Sequence, residues 1–136
     1  MNSSDEQLRR EAREAERCYQ VACEMFSQQK FKNAIDWFTK SINASEYLLN
    51  RSAYINRGIA RMVMKQYNEA IADLTNPSLK LDEKHVRDSD KILQYKNLGY
   101  CYYQVGKINE AKNAYQKVIS IDPYDSDATY MLAEMS

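Results

Sequence analysis

The chain is short of the residues that interrupt helices. Only three glycines and two prolines occur among 136 residues, too few for the turns of a sheet protein or for long loops, so helices and brief connections are expected. Cysteine is scarce and odd in number. Cys18, Cys23 and Cys101 fall in helical patterns with no C-x-x-C spacing, which predicts reduced, partly buried thiols and excludes a disulfide framework or a zinc module. The single histidine, His85, has no nearby cysteine to complete a ligand pair, so no metal site is expected. Charge of one sign is lacking too. The 19 basic and 19 acidic side chains cancel, leaving no long-range field to favour nucleic acid or an anionic membrane. No run of 18 apolar residues is present, and the first residues lack the apolar core of a secretory leader; a cytoplasmic or nuclear location is expected. Glycine-rich phosphate loops, H-E-x-x-H and G-x-S-x-G are all missing. The acidic pairs, such as Asp82-Glu83, lie in solvent-facing polar sequence, whereas a working acid or base needs a perturbing environment. Neither a catalytic residue nor a cofactor is predicted, and the chain does not read as an enzyme.

What is present is a repeat. Three times a small residue is followed twelve positions later by alanine: Ala22 and Ala34, Gly58 and Ala70, Gly99 and Ala111. A large apolar residue lies three before each alanine (Phe31, Tyr67, Ile108) and another four after it (Phe38, Leu74, Tyr115). These positions share one helical face. Glycine inside a helix costs about 1 kcal/mol relative to alanine, a cost tolerated where a second helix must approach closely, and the alanines are the small residues of that second helix. Short polar turns, Gln28-Gln29-Lys30, Lys65-Gln66 and Gly106-Lys107, join the members of each pair. The reading is an antiparallel helix pair written three times.

The pattern resembles the tetratricopeptide repeat (TPR) family. Tyr95-Lys96-Asn97-Leu98-Gly99-Tyr100-Cys101-Tyr102 matches the family's W-x2-L-G-x2-Y with tyrosine in the tryptophan's place, and Ala111, Tyr115 and Asp122-Pro123 complete that copy. The second copy keeps Tyr54, Gly58, Tyr67, Ala70 and Leu74. The first has Cys18, Ala22 and Met25 at the aromatic, glycine and tyrosine positions. The resemblance implies an all-α, right-handed solenoid of antiparallel helix pairs, about seven helices in all. The expected organisation is a charged extension of the first helix at 1–14, repeats at 15–48, 49–91 and 92–125, and a terminal helix at 126–136.

The register slips at both junctions. The three alanines are 36 and then 41 residues apart, against a family period of 34. At the first junction Ser45-Glu46-Tyr47-Leu48-Leu49 reads as an early helix start capped by Ser45. At the second, Asn76-Pro77 falls inside the expected second helix of repeat two, and proline there predicts a kink or an early end. The stretch from Leu81 to Asp90 reads as a polar loop, with Asp88 or Ser89 to cap the next helix. Ser4-Asp5-Glu6-Gln7 has the form of a capping box. The terminal helix is expected from Asp125-Ser126, offering Tyr130, Met131, Leu132 and Met135 to a further segment or to another copy of the chain.

The resemblance also implies where binding occurs: on the concave surface lined by the first helix of each pair, on the face turned from the glycine. Helical spacing assigns Tyr19, Cys23 and Phe26 to it from repeat one. Repeat two adds Ile55, Asn56, Ile59 and Met62. Repeat three adds Leu93, Lys96, Asn97, Tyr100 and Tyr103, and Tyr130 follows from the last helix. An apolar strip with a polar rim suits a peptide or helix groove. Co-chaperones of this family grip a C-terminal carboxylate there with lysine, arginine and asparagine. Here Tyr19, Cys23, Leu93 and Asn97 occupy the matching positions, and only Asn56 is retained. A carboxylate buried without cations would cost several kcal/mol, so the expectation is a scaffold or adaptor that binds a partner peptide by apolar contacts. Asn56 and Asn97, each both donor and acceptor, would pair with its backbone. The alternatives are a co-chaperone with a divergent clamp and a self-association module working through the C-terminal helix.

Overall fold

The computed structural model describes residues 3–45, 50–80 and 83–136. Its helices gather into two compact units that meet in sequence at Lys65 and Gln66, within the stretch assigned to repeat two. The first unit holds α1 (Ser3–Ser27), α2 (Phe31–Ala44) and α3 (Asn50–Val63). The second holds α4 (Tyr67–Leu74), short 3-10 turns at Pro77–Lys80 and Glu83–His85, α5 (Asp88–Gln104), α6 (Ile108–Ile121) and α7 (Ser126–Glu134).

In the first unit the small residues of the repeat do what their size suggests. Ala22, Ala34 and Ala53 are fully buried around Phe38, and Tyr19, Met25, Phe26, Trp37 and Ile42 pack against them. The Ser41 hydroxyl is buried here and donates to the Ala15 carbonyl at 2.7 Å, so this polar atom in the α1–α2 seam is satisfied.

The second unit shows why its glycine is needed. A methyl group at Gly99 would stand 2.7 Å from the Tyr115 ring. The space left by the missing side chain of α5 is therefore filled by the aromatic of α6, four residues beyond Ala111, rather than by Ala111 itself. Tyr115, Val118 and Ala128 form the buried centre, with Ile92, Tyr95, Ile119, Met131, Leu132 and Met135 against it.

The three tight turns share one geometry. Gln29, Lys65 and Gly106 have φ of 61°, 63° and 81°. The N–H of Lys30 bonds the Met25 carbonyl and that of Lys107 bonds Tyr102, each at 2.9 Å. Such bonds reach five residues back and close a helix end around a left-handed residue.

Asn76-Pro77 acts as expected. Helix α4 has eight residues where α2 and α6 have fourteen. Asn76 Oδ1 then accepts from the backbone and hydroxyl of Ser78 at 3.0 and 2.7 Å, starting the 3-10 turn that buries Leu79. The insert is thus two helical turns rather than a plain loop.

Helix starts were harder to place. Helix α1 already includes Ser3, so Ser4 lies inside it and not at its cap. Arg87 is the cap of α5, one residue before Asp88. Ser45 is the extended residue that ends α2, and the helix start assigned to 46–49 lies outside the described residues. At α7, Asp125 is the cap, its carboxylate accepting from the Ala128 N–H at 2.9 Å.

Candidate functional site

The first unit offers the α1 and α3 residues singled out from the sequence. Tyr19 is half-buried, its ring centroid 5.8 Å from that of Phe38, and its hydroxyl accepts from Asn56 Nδ2 at 3.1 Å. Burial raises its phenol pKa. Cys23 is half-buried, and burial raises its thiol as well, so it behaves as a small apolar residue rather than a nucleophile. Phe26 stands edge-on to Phe31 with centroids 5.2 Å apart. Ile59 and Met62 are partly exposed. Ile55 is only 6% exposed and belongs to the core, although at 100° per residue it lies within 40° of Ile59. The open stripe of α3 runs Asn56–Ile59–Val63, and Val63, at an i, i+3, i+7 spacing that the sequence already offered, is well exposed.

On the second unit the apolar character is stronger. Leu93, Tyr100 and Tyr103 of α5 are 43%, 40% and 38% exposed, and Tyr130 of α7 is 63% exposed. Tyr100 meets Tyr67 of α4 at 6.2 Å between ring centroids, which fixes one side of its ring. Asn97 Nδ2 donates to the Leu93 carbonyl of its own helix at 2.7 Å. Asn56 and Asn97 therefore hold equivalent places in the repeat but make different bonds, one to a neighbouring helix and one within its own.

Lys96 is the single cation of the predicted set, and it is committed. Its Nζ lies 2.7 Å from Asp127 and 3.1 Å from Asp125, and the bond to Asp127 leads the effects that raise its pKa. The Asp125 carboxyl is held below the ordinary range, first by the Ala128 N–H and then by Lys96. Lys96 thus ties α5 to the start of α7. The two predicted faces are neutral and apolar, suited to holding a peptide rather than to moving protons. Among the described residues no group of three or more His, Cys, Asp or Glu is placed to hold a metal ion, and no helix is long and apolar enough to cross a membrane.

Comparison with known proteins agrees with this architecture. Residues 92–125 match the model of the tetratricopeptide repeat. RNA polymerase II-associated protein 3 of Homo sapiens is 29% identical over 111 residues, covering 82% of this chain and 15% of that protein. Heat shock protein STI1 of Saccharomyces cerevisiae is 28% identical over 97 residues, 71% of this chain and 15% of its own length. The chain thus spans a small fraction of the curated relatives it matches. Among solved structures, the first TPR of Spaghetti (RPAP3) bound to the HSP90 peptide SRMEEVD superposes with a TM-score of 0.76 at 26% identity, over 91% of each chain. The second TPR domain of human RPAP3, in complex with the HSP70 peptide SGPTIEEVD, gives 0.72 at 24% identity, over 93% of this chain and 96% of that one. The fold is the all-α helical solenoid of these structures. Residues 92–125 are thus a tetratricopeptide repeat, and the helix pairs of the chain are similar to those of solved tetratricopeptide repeat domains.

Proposed function

We propose that the chain is a protein-interaction domain, a scaffold or adaptor that binds a peptide segment of a partner protein mainly through apolar contacts. The observation that carries this reading is the set of partly exposed large side chains on one face of α5, Leu93, Tyr100 and Tyr103, together with the exposed Tyr130 of α7. Isolated exposed apolar residues are ordinary, but several on one helix face mark a contact surface. The α1 and α3 face contributes Tyr19, Cys23, Phe26, Asn56, Ile59 and Met62, with Asn97 on α5 as a further polar contact. The peptide-bound structures that share this fold support a peptide as the ligand class. No step of catalysis is assigned to the domain.

A second reading has its own support. The similarity to a domain bound to an HSP90 peptide favours a co-chaperone that grips an acidic chain end. Against it stand Tyr19, Cys23, Leu93 and Asn97 at the clamp positions, and the engagement of Lys96 with Asp125 and Asp127. Calorimetry separates the two. A tight-binding peptide selected by display should lose about tenfold or more in affinity on Tyr100→Ala or Leu93→Ala, as expected for anchor residues. The peptide SRMEEVD should bind only weakly. Tight binding of SRMEEVD that survives both substitutions would establish the clamp reading instead.

A further inference from the structure

Between the end of α4 with its 3-10 turns, α5 and α6 lies a cleft of about 310 Å³. Its floor is Leu74, Leu79, Leu98 and Ala114, all buried, and Tyr95 and Tyr102 form its walls. Gln94, also at the floor, is satisfied by donating to the Leu74 carbonyl at 3.0 Å. Two lysines, Lys80 and Lys117, and two glutamates, Glu83 and Glu110, stand around the rim. At 100° per residue, the stripe Gln94–Leu98–Tyr102 lies more than a third of a turn round α5 from Leu93–Asn97–Tyr100. The cleft is therefore distinct from the surface discussed above.

We propose that this cleft is a second binding site, which receives a neutral aromatic side chain of a partner protein. Size is the first argument. The volume is at the lower end of the range for ligand pockets, enough for one large side chain with its flanking backbone and too small for a helix. Charge is the second. The two lysines and two glutamates cancel, so the rim favours neither an acidic nor a basic ligand. The third is the lining. An apolar floor between two tyrosine rings suits an aromatic group, which gains from ring contacts beyond its buried area. Lys117 Nζ already rests 4.9 Å from the Tyr95 centroid, leaving the chain of Asn113 and the carboxylates to meet the peptide backbone at the rim.

The test uses the full chain, labelled with nitrogen-15, and the capped tripeptide acetyl-Gly-Trp-Gly-amide as probe. Saturable shifts are expected around Leu79, Leu98 and Ala114. The corresponding alanine tripeptide should bind about tenfold or more weakly, free indole should bind more weakly than the tripeptide, and added salt should change little. Ala114→Leu raises the floor and should abolish the shifts. Should that variant unfold, Asn113→Trp, at an exposed rim position, covers the same opening and should have the same effect. Shifts centred on Leu93 and Tyr100, or none at all, would overturn the proposal. So would equal binding of the alanine peptide. Indole binding as tightly as the tripeptide would make this a small-molecule pocket rather than a peptide site.

Discussion

Gln29 and Lys65 hold left-handed backbone conformations without being glycine, at positions where the third turn has Gly106. An L side chain in that region costs about 1–2 kcal/mol, part of which is offset by the extra entropy glycine loses on folding. Gln29→Gly and Lys65→Gly should each stabilise the fold by about 0.5–1 kcal/mol. Gly106→Ala should destabilise it by a similar amount, and urea melts of the three variants would check both signs. Gly99 makes the opposite case, because its backbone is ordinary and its surroundings are not. Gly99→Ala drives a methyl group into the buried Tyr115 ring and should cost about 1–3 kcal/mol. Tyr115→Leu in the same molecule should recover part of that loss. A purely additive double variant would show that the two positions do not meet. The sequence marks Gly99 as a position that must stay small, since glycine inside a helical pattern needs a reason. It does not say which residue of the next helix takes up the space. Nor do the polar side chains of Gln29 and Lys65 betray a positive φ, as a glycine would.

The elements differ in how openly they announce their ends. Proline at position 77 stops α4 through its own covalent geometry, so that boundary was legible. Starts were less so, because several polar residues in a row can each serve as a cap and only the backbone chooses among them. Asp125 caps α7, and its carboxylate serves two partners, the Ala128 N–H and Lys96. Asp125→Ala should cost about 1 kcal/mol, whereas Asp127→Ala, at a largely exposed carboxylate, should cost less. The pH dependence follows from the direction of the shift. The Asp125 carboxyl is lowered on folding, so its contribution is fully present above the unfolded value near 3.9 and fades as pH falls through the folded one. Lys96 is raised, so its contribution is present below the unfolded value near 10.4 and fades as pH rises through the folded one. Asp125→Asn should keep the cap yet flatten the acid limb of stability. An unchanged acid limb in that variant would place the carboxylate's effect elsewhere. Packing gives a parallel contrast: Ala111 is fully buried and Ala133 exposed. Ala111→Leu should cost about 1–3 kcal/mol, and Ala133→Leu should stay within about 0.5 kcal/mol.

For the molecule as a whole, the repeat made the helices legible because each copy is a local pattern tested three times. The binding surface was only partly legible, since spacing gives the face of a helix but not how far a neighbour covers it. Ile55 was lost to the core in this way. Lys96 pairs with Asp125 and Asp127, which lie some thirty positions along the chain and fold back on it, a contact that helical spacing does not show. The cleft behind α5 left no mark in any one segment, because its lining comes from α4, the 3-10 turns, α5 and α6 together. What does carry through from composition to function is the shortage of uncommitted charge on the predicted faces. A peptide gripped by its terminal carboxylate needs cations, and its affinity should fall steeply with ionic strength. A peptide held by Leu93, Tyr100, Tyr103 and Tyr130 should bind nearly as well at high salt as at low, because screening acts on charges and leaves apolar burial intact. Calorimetry of one selected peptide, as free acid and as C-terminal amide, at two ionic strengths decides between them. Equal affinities in all four titrations are the expected result. A marked loss on amidation, deepened by salt, would mean that a carboxylate is being bound by cations outside the predicted set.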